Sequence, residues 1–173
     1  MAFLTAWHML VTRGGITPGE TVLVVGASSG VGSAAIQIAK LHTARVLATA
    51  GTADKRKRCL DLGADETINY RTQSISQEVR RLTDGRGADL VFEHVGPATW
   101  AESLKSLARR GRLLICGQTT GNEVTLPLIQ FFAQNQTIHG TFIGTAGEFA
   151  EILRLVAGGK LRPVVDHVFP LSA

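Results

Sequence analysis

The sequence predicts an α/β fold: one doubly wound, parallel, six-stranded sheet interleaved with helices in a single domain. Three observations carry this. From Thr21 onward, short apolar runs alternate with segments of helical period. The first run, Thr21–Val25, is apolar without a break, as befits a strand buried on both faces of a parallel sheet. The remaining strands are each separated by a helical segment, the crossover that parallel neighbours require. A chain of 173 residues is long enough for one well-cored domain and short for two.

The elements follow in order. Gly30–Leu41 places Val31, Ala35 and Ile38 on one stripe, a helical period. Arg45–Thr49 is the second strand and Ala53–Leu62 the second helix, stopped by Gly63 just past its end. Glu66–Ile68 is a short third strand. Ser74 opens a helix with Gln77 three residues on, the pattern of a capping box, and Ile75, Val79 and Leu82 share its buried face. Leu90–Glu93 is strand four. After Pro97, Thr99 and Glu102 predict a second capping box, with Trp100, Leu104 and Leu107 facing inward. Arg112–Cys116 is strand five, Leu128–Gln134 a short helix and Gln136–Ile143 strand six. Thr145 and Glu148 cap a last helix carrying Phe149, Ile152, Leu153 and Val156, closed by Gly158 and Gly159. Right-handed crossovers would set helices on both faces. Ala2–Arg13 reads as a helix leading in, and Arg162–Ala173 as an extended tail.

Composition narrows the classes. Hydrophobic residues make up 45% and charged residues 18%, the profile of a globular chain rather than a disordered one. The net charge of +4 suits a small anionic ligand as well as nucleic acid. Only Lys55–Arg58 forms a basic cluster, and no aromatic platform accompanies it, so nucleic acid is not an expected partner. Cys59, Cys116 and the five histidines lack the spacing of a metal site. The two thiols are expected as core filler in a reducing cytoplasm. The uncharged run Thr21–Ala39 is interrupted by Gly26–Gly32, so strand, turn and helix explain it better than a membrane span. The opening Met-Ala-Phe-Leu has no basic stretch or cleavage site of a secretory signal.

The turn Gly26-Ala27-Ser28-Ser29-Gly30-Val31-Gly32 joins the first strand to the first helix, the context in which a dinucleotide's diphosphate is bound. Small side chains let an anion approach the backbone, and the amides near Ser29 to Gly32 point at it from the helix start. The full G-x-G-x-x-G of this Rossmann-type turn is absent: its glycines fall on Ala27, Ser29 and Gly32. An acidic residue about twenty positions on commonly binds the adenosine ribose. Here that region reads Ala48-Thr49-Ala50-Gly51-Thr52, without a carboxylate, and Lys55 and Arg56 follow. Missing negative charge with added positive charge favours NADP(H) over NAD(H). The alternative is that Lys55–Arg58 is only the solvated face of a helix, and the carboxylate of Asp54 stands close by.

Thr5-Ala6-Trp7, residues 18–24 (Pro-Gly-Glu-Thr-Val-Leu-Val), the turn at 26–32, Leu-Gly-Ala-Asp at 62–65, Ile-Asn-Tyr at 68–70, Gly-Arg-Gly-Ala-Asp at 85–89 and Gly-Lys-Leu-Arg-Pro-Val at 159–164 occur in this order over nearly the whole chain. The combination resembles the medium-chain dehydrogenase/reductase family, on the branch of the quinone reductases and zinc-type alcohol dehydrogenases. The resemblance implies Ala27 and Ser28 among the cofactor-binding residues of the turn, with Ser29, Gly30 and Val31 presenting amides to the diphosphate. It implies Thr52, Lys55 and Tyr70 at the adenosine ribose and its 2′-phosphate, and Val95, Gly117 and Gln118 along the cleft. Phe142, Ile143 and Gly144 would flank the nicotinamide, and Thr5 would pack on its face. His94 falls at the same strand end, where the sequence does not separate a packing role from a functional one.

The family also has a catalytic domain, most of it preceding the sheet domain, which in zinc-dependent members carries the metal. The expectation is therefore a single-domain piece: residues 1–20 lead in from that domain, 21–160 bind the dinucleotide, and 161–173 lead back. Zinc would belong only to the catalytic domain. The parent protein would move hydride between nicotinamide and an alcohol, carbonyl, quinone or enone substrate, while this chain alone would be inactive. A non-catalytic NADP(H)-binding sensor or structural module is the alternative, since the fold hosts both. A homodimer is expected through the edge of the sheet at strand six.

Overall fold

In the computed structural model, which describes residues 1–172, six strands form one parallel sheet in the order β3-β2-β1-β4-β5-β6. The strands are β1 (Thr21–Val24), β2 (Arg45–Thr49), β3 (Glu66–Ile68), β4 (Ala88–Glu93), β5 (Leu107–Ile115) and β6 (Thr137–Gly140). The helices are α1 (Ala2–Trp7), α2 (Gly30–Leu41), α3 (Ala53–Asp61), α4 (Ile75–Leu82), α5 (Pro97–Ser106), α6 (Leu128–Ala133) and α7 (Ala146–Ala157). A π-helical stretch, His8–Arg13, continues α1. The doubly wound parallel fold is as the apolar run at Thr21 and the alternation after it require. Among the described residues no helix is long and apolar enough to cross a membrane.

The sheet is buried on both faces because successive side chains of a strand point to opposite sides. Val22 and Val24 of β1 join one core with Ala35 and Ile38 of α2 and Met9 and Leu10 of the lead-in. Leu23 joins the other core with Ile75 and Val79 of α4 and Trp100 and Leu104 of α5. The chain order reverses direction at the β1/β4 boundary, with β2 and β3 on one side and β5 and β6 on the other. In open α/β sheets ligands collect in the crevice above such a switch point, at the carboxyl ends of the strands.

Several expected boundaries are corrected. Residues Ser29 and Ser74 cap α2 and α4, each accepting an amide three residues on, and Thr145 with Glu148 forms the full capping box of α7. The box expected at Thr99 and Glu102 does not form. Pro97 already occupies the first turn of α5, after Gly96 at φ +92°. Thr99 Oγ1 donates instead to Glu93 Oε2 at 2.9 Å, and Glu102 accepts from Ser74 Oγ at 2.7 Å and the Ser76 amide at 2.9 Å. The caps of α5 were thus claimed by tertiary partners. Strand β4 begins at Ala88, two residues before the expected start. Strand β5 starts at Leu107 rather than Arg112, directly off α5, with its register to β4 shifting between Ala88 and Leu90. Strand β6 ends at Gly140, short of the expected Ile143, because Thr141–Gly144 turns toward α7 and Ile143 takes φ +54°. Residues 163–170 of the tail have no regular structure, and Ala173 lies outside the described residues.

Candidate functional site

The turn after β1 is shaped by close approach. A β-carbon at Gly32 would lie 2.7 Å from both Ala27 Cα and Gly26 O, backbone atoms that cannot yield, so α2 can begin against the strand only with glycine there. The structure shows which amides of this turn are free. Ala27 is fully buried and its amide donates to Thr49 O at 3.0 Å. The Ser29 amide is likewise spent, on Gly26 O at 3.0 Å, and the Gly32 amide on Ser29 Oγ at 3.0 Å. Among the described residues the amides of Gly30 and Val31 donate to no protein group, and they open the helix. The expected trio of Ser29, Gly30 and Val31 thus reduces to Gly30 and Val31, with Ser29 contributing its side chain to the cap rather than its amide. Both amides lie at the positive end of a 12-residue helix, the end that favours negative charge.

Ser28, Ser29, Gly30 and Lys55 line one cleft, which Arg58 borders. Val164 and Asp166 of the tail reach the same cleft, with Asp166 3.9 Å from Arg58 across an exposed gap. Thr52 caps α3 by accepting the Lys55 amide at 3.3 Å. The Lys55 side chain is exposed and forms no ion pair among the described residues.

Past the end of β2 the structure adds a residue that the sequence reading did not single out. Tyr70 OH and Arg71 Nε would each lie 2.8 Å from a β-carbon at Gly51, so both side chains fold over that glycine. The Arg71 side chain also has no carboxylate partner among the described residues. Gly51, Thr52, Tyr70 and Arg71 therefore form one corner, with Lys55 three residues past Thr52 in the first turn of α3, next to Asp54. A dianion placed there would meet two cations and two hydroxyls. Tyr70 is 48% exposed, open to a ligand while its hydroxyl stays at the corner.

The other half of the band lies beyond the switch point. Gly117, Gln118 and Phe142 line a second cleft with Gly96, Trp100 and Cys116. Val95 spends its amide on Glu93 Oε1 at 2.6 Å, and its carbonyl accepts from Thr120 N and Oγ1, both at 2.8 Å, which leaves only its side chain for contacts. Burial, with the neighbouring Glu93, pushes the Cys116 thiol up to about 11, which keeps it protonated and unreactive at neutral pH. Phe142 is 86% exposed. Ile143 holds a left-handed backbone, which costs a β-branched residue on the order of 1–3 kcal/mol and is kept only where the surroundings enforce it.

Those surroundings centre on Glu148. A β-carbon at Gly144 would lie 2.7 Å from Leu4 Cδ1 and 2.9 Å from Glu148 Oε2, so this segment is pressed onto α1. Glu148 accepts from Thr12 Oγ1, from the Thr145 amide at 2.6 Å and contacts His8 Nδ1 at 2.9 Å. Burial works against its charge, but the bonds from Thr12, Thr145 and His8 outweigh that and bring its carboxyl down to about 2. Thr5 sits partly buried on the same α1, one residue from Leu4. The expected residues thus divide into a phosphate-turn group, a cationic corner and a cleft behind Gly117 and Phe142, with Thr5, Ile143 and Gly144 at the α1–α7 contact. Among the described residues no three His, Cys, Asp or Glu side chains converge to hold a metal ion.

Known proteins share this layout. A sequence profile of the family described as zinc-binding dehydrogenase matches residues 30–158. The quinone oxidoreductase of Salmonella typhimurium is 34% identical over 169 residues, covering 92% of this chain and 51% of that protein. The human quinone oxidoreductase is 30% identical over 175 residues, covering 98% of this chain and 53% of that protein. The chain therefore spans about half the length of the curated relatives it matches. Among solved structures, an NAD-dependent alcohol dehydrogenase superposes with TM-score 0.90 at 48% identity, covering 94% of this chain and 48% of the other. The Escherichia coli quinone oxidoreductase complexed with NADPH superposes with TM-score 0.86 at 30% identity, covering 95% and 53%. The doubly wound sheet, the turn before α2 and these matches together establish that the chain belongs to the zinc-binding dehydrogenases of the medium-chain dehydrogenase/reductase family, as their cofactor-binding domain.

Proposed function

We propose that the chain binds NADP(H) along the carboxyl ends of β2, β1, β4 and β5 as the cofactor-holding part of an oxidoreductase. The observation that carries this is the cationic corner. Arg71 stands beside Gly51 without a carboxylate partner among the described residues, and Lys55, likewise without an ion pair, follows on α3, where an NAD-selective site would keep an acidic residue for the ribose. One solved relative is named NAD-dependent and another was solved with NADPH, so kinship leaves the nucleotide open, and the local charge favours NADP(H). The free amides of Gly30 and Val31 fit the diphosphate, and the closely packed Gly32 lets it approach.

In this reading the nicotinamide, when bound, supplies or takes the hydride exchanged with an alcohol, carbonyl, quinone or enone substrate. The chain's own residues bind and orient. Gly30 and Val31 hold the diphosphate, and Thr52, Lys55, Tyr70 and Arg71 hold the adenosine end. Gly117 and Gln118 border the cleft in which the segment Phe142–Gly144, fixed through Leu4 and Glu148, would line the reacting end. Calorimetric titration of the chain tests this. NADPH is expected to bind roughly tenfold or more tightly than NADH, the worth of one charge-assisted contact. Equal affinities or an NADH preference rule out the NADP(H) assignment, and binding of neither rules out the site.

We further propose a twofold homodimer through β6, with residence in the reducing cytoplasm. Strand β6 is one of the two edge strands, without proline or formal charge, and Val124 borders a cleft with Gly140, Thr141 and Phe142 at that edge. Sedimentation should show dimers for the wild type and monomers for Val124→Lys. A variant that stays dimeric moves the contact elsewhere on the molecule.

A further inference from the structure

His94 leaves the carboxyl end of β4 and crosses to the turn before α2. Its Nε2 lies 3.2 Å from Ser29 Oγ. The ring presses on Gly26, where a β-carbon would come within 2.9 Å of Nε2 and 3.0 Å of Cε1. The imidazole fills the place that a side chain at position 26 would take. Its backbone is held as firmly. Thr119 Oγ1 donates to the His94 carbonyl at 3.1 Å, and Gly117 approaches so closely that a β-carbon there would stand 2.6 Å from that oxygen. The Phe92 ring meets the imidazole edge-on, at 6.1 Å between centroids.

What His94 grips is a side chain that takes one of the amides of the turn. Ser29 Oγ accepts the Gly32 amide at 3.0 Å, which removes that donor and leaves Gly30 and Val31, with Ser28 before them, without a protein acceptor. A lone serine hydroxyl has three rotamers and can leave this cap for solvent or for an incoming anion. The imidazole removes that freedom in either of its forms. A neutral ring with Nε2 unprotonated accepts the serine proton. With Nε2 protonated, the ring donates to the serine oxygen instead, and the hydroxyl proton is released toward the cleft. The oxygen keeps its place in both.

We propose that His94 is a positioning residue for diphosphate recognition. By fixing Ser29 in its capping rotamer it holds the first turn of α2 with Gly30 and Val31 aimed at the diphosphate of the dinucleotide. This rests on the reading above that the chain binds NADP(H).

The test uses two probes on the same chain. NADPH carries the diphosphate, and 2′-AMP carries the 2′-phosphate and adenosine without one. His94→Ala should weaken NADPH about fivefold or more, the worth of one hydrogen bond, and leave 2′-AMP within about twofold. His94→Gln, whose amide can reach the same hydroxyl, should restore most of the loss. In a Ser29→Ala background, His94→Ala should cost NADPH nothing further, because the effect runs through Ser29. If His94→Ala does not fold, Ser29→Ala alone must show the NADPH-only loss. The inference is overturned by an unchanged NADPH affinity, by equal losses for both probes, or by additive effects of the two substitutions. A wild type that binds neither probe overturns the site reading and this inference together. Wild-type binding of both probes with unmoved variants overturns the inference alone.

Discussion

Replacing Lys55 and Arg71 together by glutamine should lower NADPH affinity about thirtyfold or more while leaving NADH within about twofold. A charge-assisted hydrogen bond contributes about 1.5–3 kcal/mol, and exposure to water discounts each of these two toward the lower end. Two such losses still sum to more than any other single site in the chain offers. The selectivity of the loss carries the argument. Arg71 folds over Gly51 beside Tyr70, and Lys55 lies three residues past Thr52 on α3, so a ligand with a 2′-phosphate should feel their removal most. Lys57 is the control. It lies on the same helix but is engaged with Asp61 at 2.9 Å, so Lys57→Gln should change neither affinity. Loss of NADPH and NADH binding in parallel would mean that the corner serves net charge or folding rather than the 2′-phosphate.

The largest expected effect on stability is at Glu93. This carboxyl is fully buried at the end of β4 and accepts four hydrogen bonds. The Val95 and Gly96 amides donate to Oε1 at 2.6 and 3.1 Å, and the Thr99 and Ser103 hydroxyls to Oε2 at 2.9 and 2.5 Å. One side chain thereby ties the strand end, the left-handed Gly96 and the first two turns of α5 into one unit. Glu93→Ala strands all four donors in a space too closed to rehydrate them fully. Each orphaned group costs about 1–3 kcal/mol, and the two hydroxyls can recover part by rotating, so a net loss of about 3 kcal/mol or more is expected. Glu93→Gln keeps the shape but turns one acceptor into a donor facing donors, and should fall between. Urea denaturation measures both. A cost below about 1 kcal/mol for Glu93→Ala would show that the corner does not depend on this carboxyl. The connection to function is direct, because the segment that Glu93 anchors carries His94 and Val95 between the two clefts.

The sheet was legible in the sequence because its signals are local. Thr21–Val25 is apolar throughout, and Ser29, Ser74 and Thr145 sit where helix-opening residues belong. What failed was decided by distant partners. Thr99 and Glu102 have the spacing of a capping box, yet Glu93 takes the hydroxyl of one, and the start of α4 takes the carboxylate of the other. The start of β5 was hidden because Arg109 and Arg110, both exposed, interrupt its apolar pattern. The end of β6 depends on a left-handed Ile143, which no propensity for a β-branched residue foretells. At the site, the turn was readable from its small residues, but sequence cannot say which amides a fold has already used. Ala27 had spent its amide on Thr49 of β2, and Ser29 had spent its own on Gly26 within the turn. Arg71 escaped notice because its approach to Gly51 is tertiary. The signal available was the arginine following Ile-Asn-Tyr, close to a glycine at the end of the second strand.

The most direct test of the account is amide chemical-shift mapping of the chain as NADPH is added. The account predicts its largest shifts at Gly30 and Val31, whose amides have no protein acceptor, and at Gly51, Thr52 and Arg71, with smaller changes at Val95 and Gly117. NADH should reproduce the Gly30 and Val31 shifts at higher concentration and leave Arg71 nearly still. Saturable binding that moves none of residues 28–31 would contradict it.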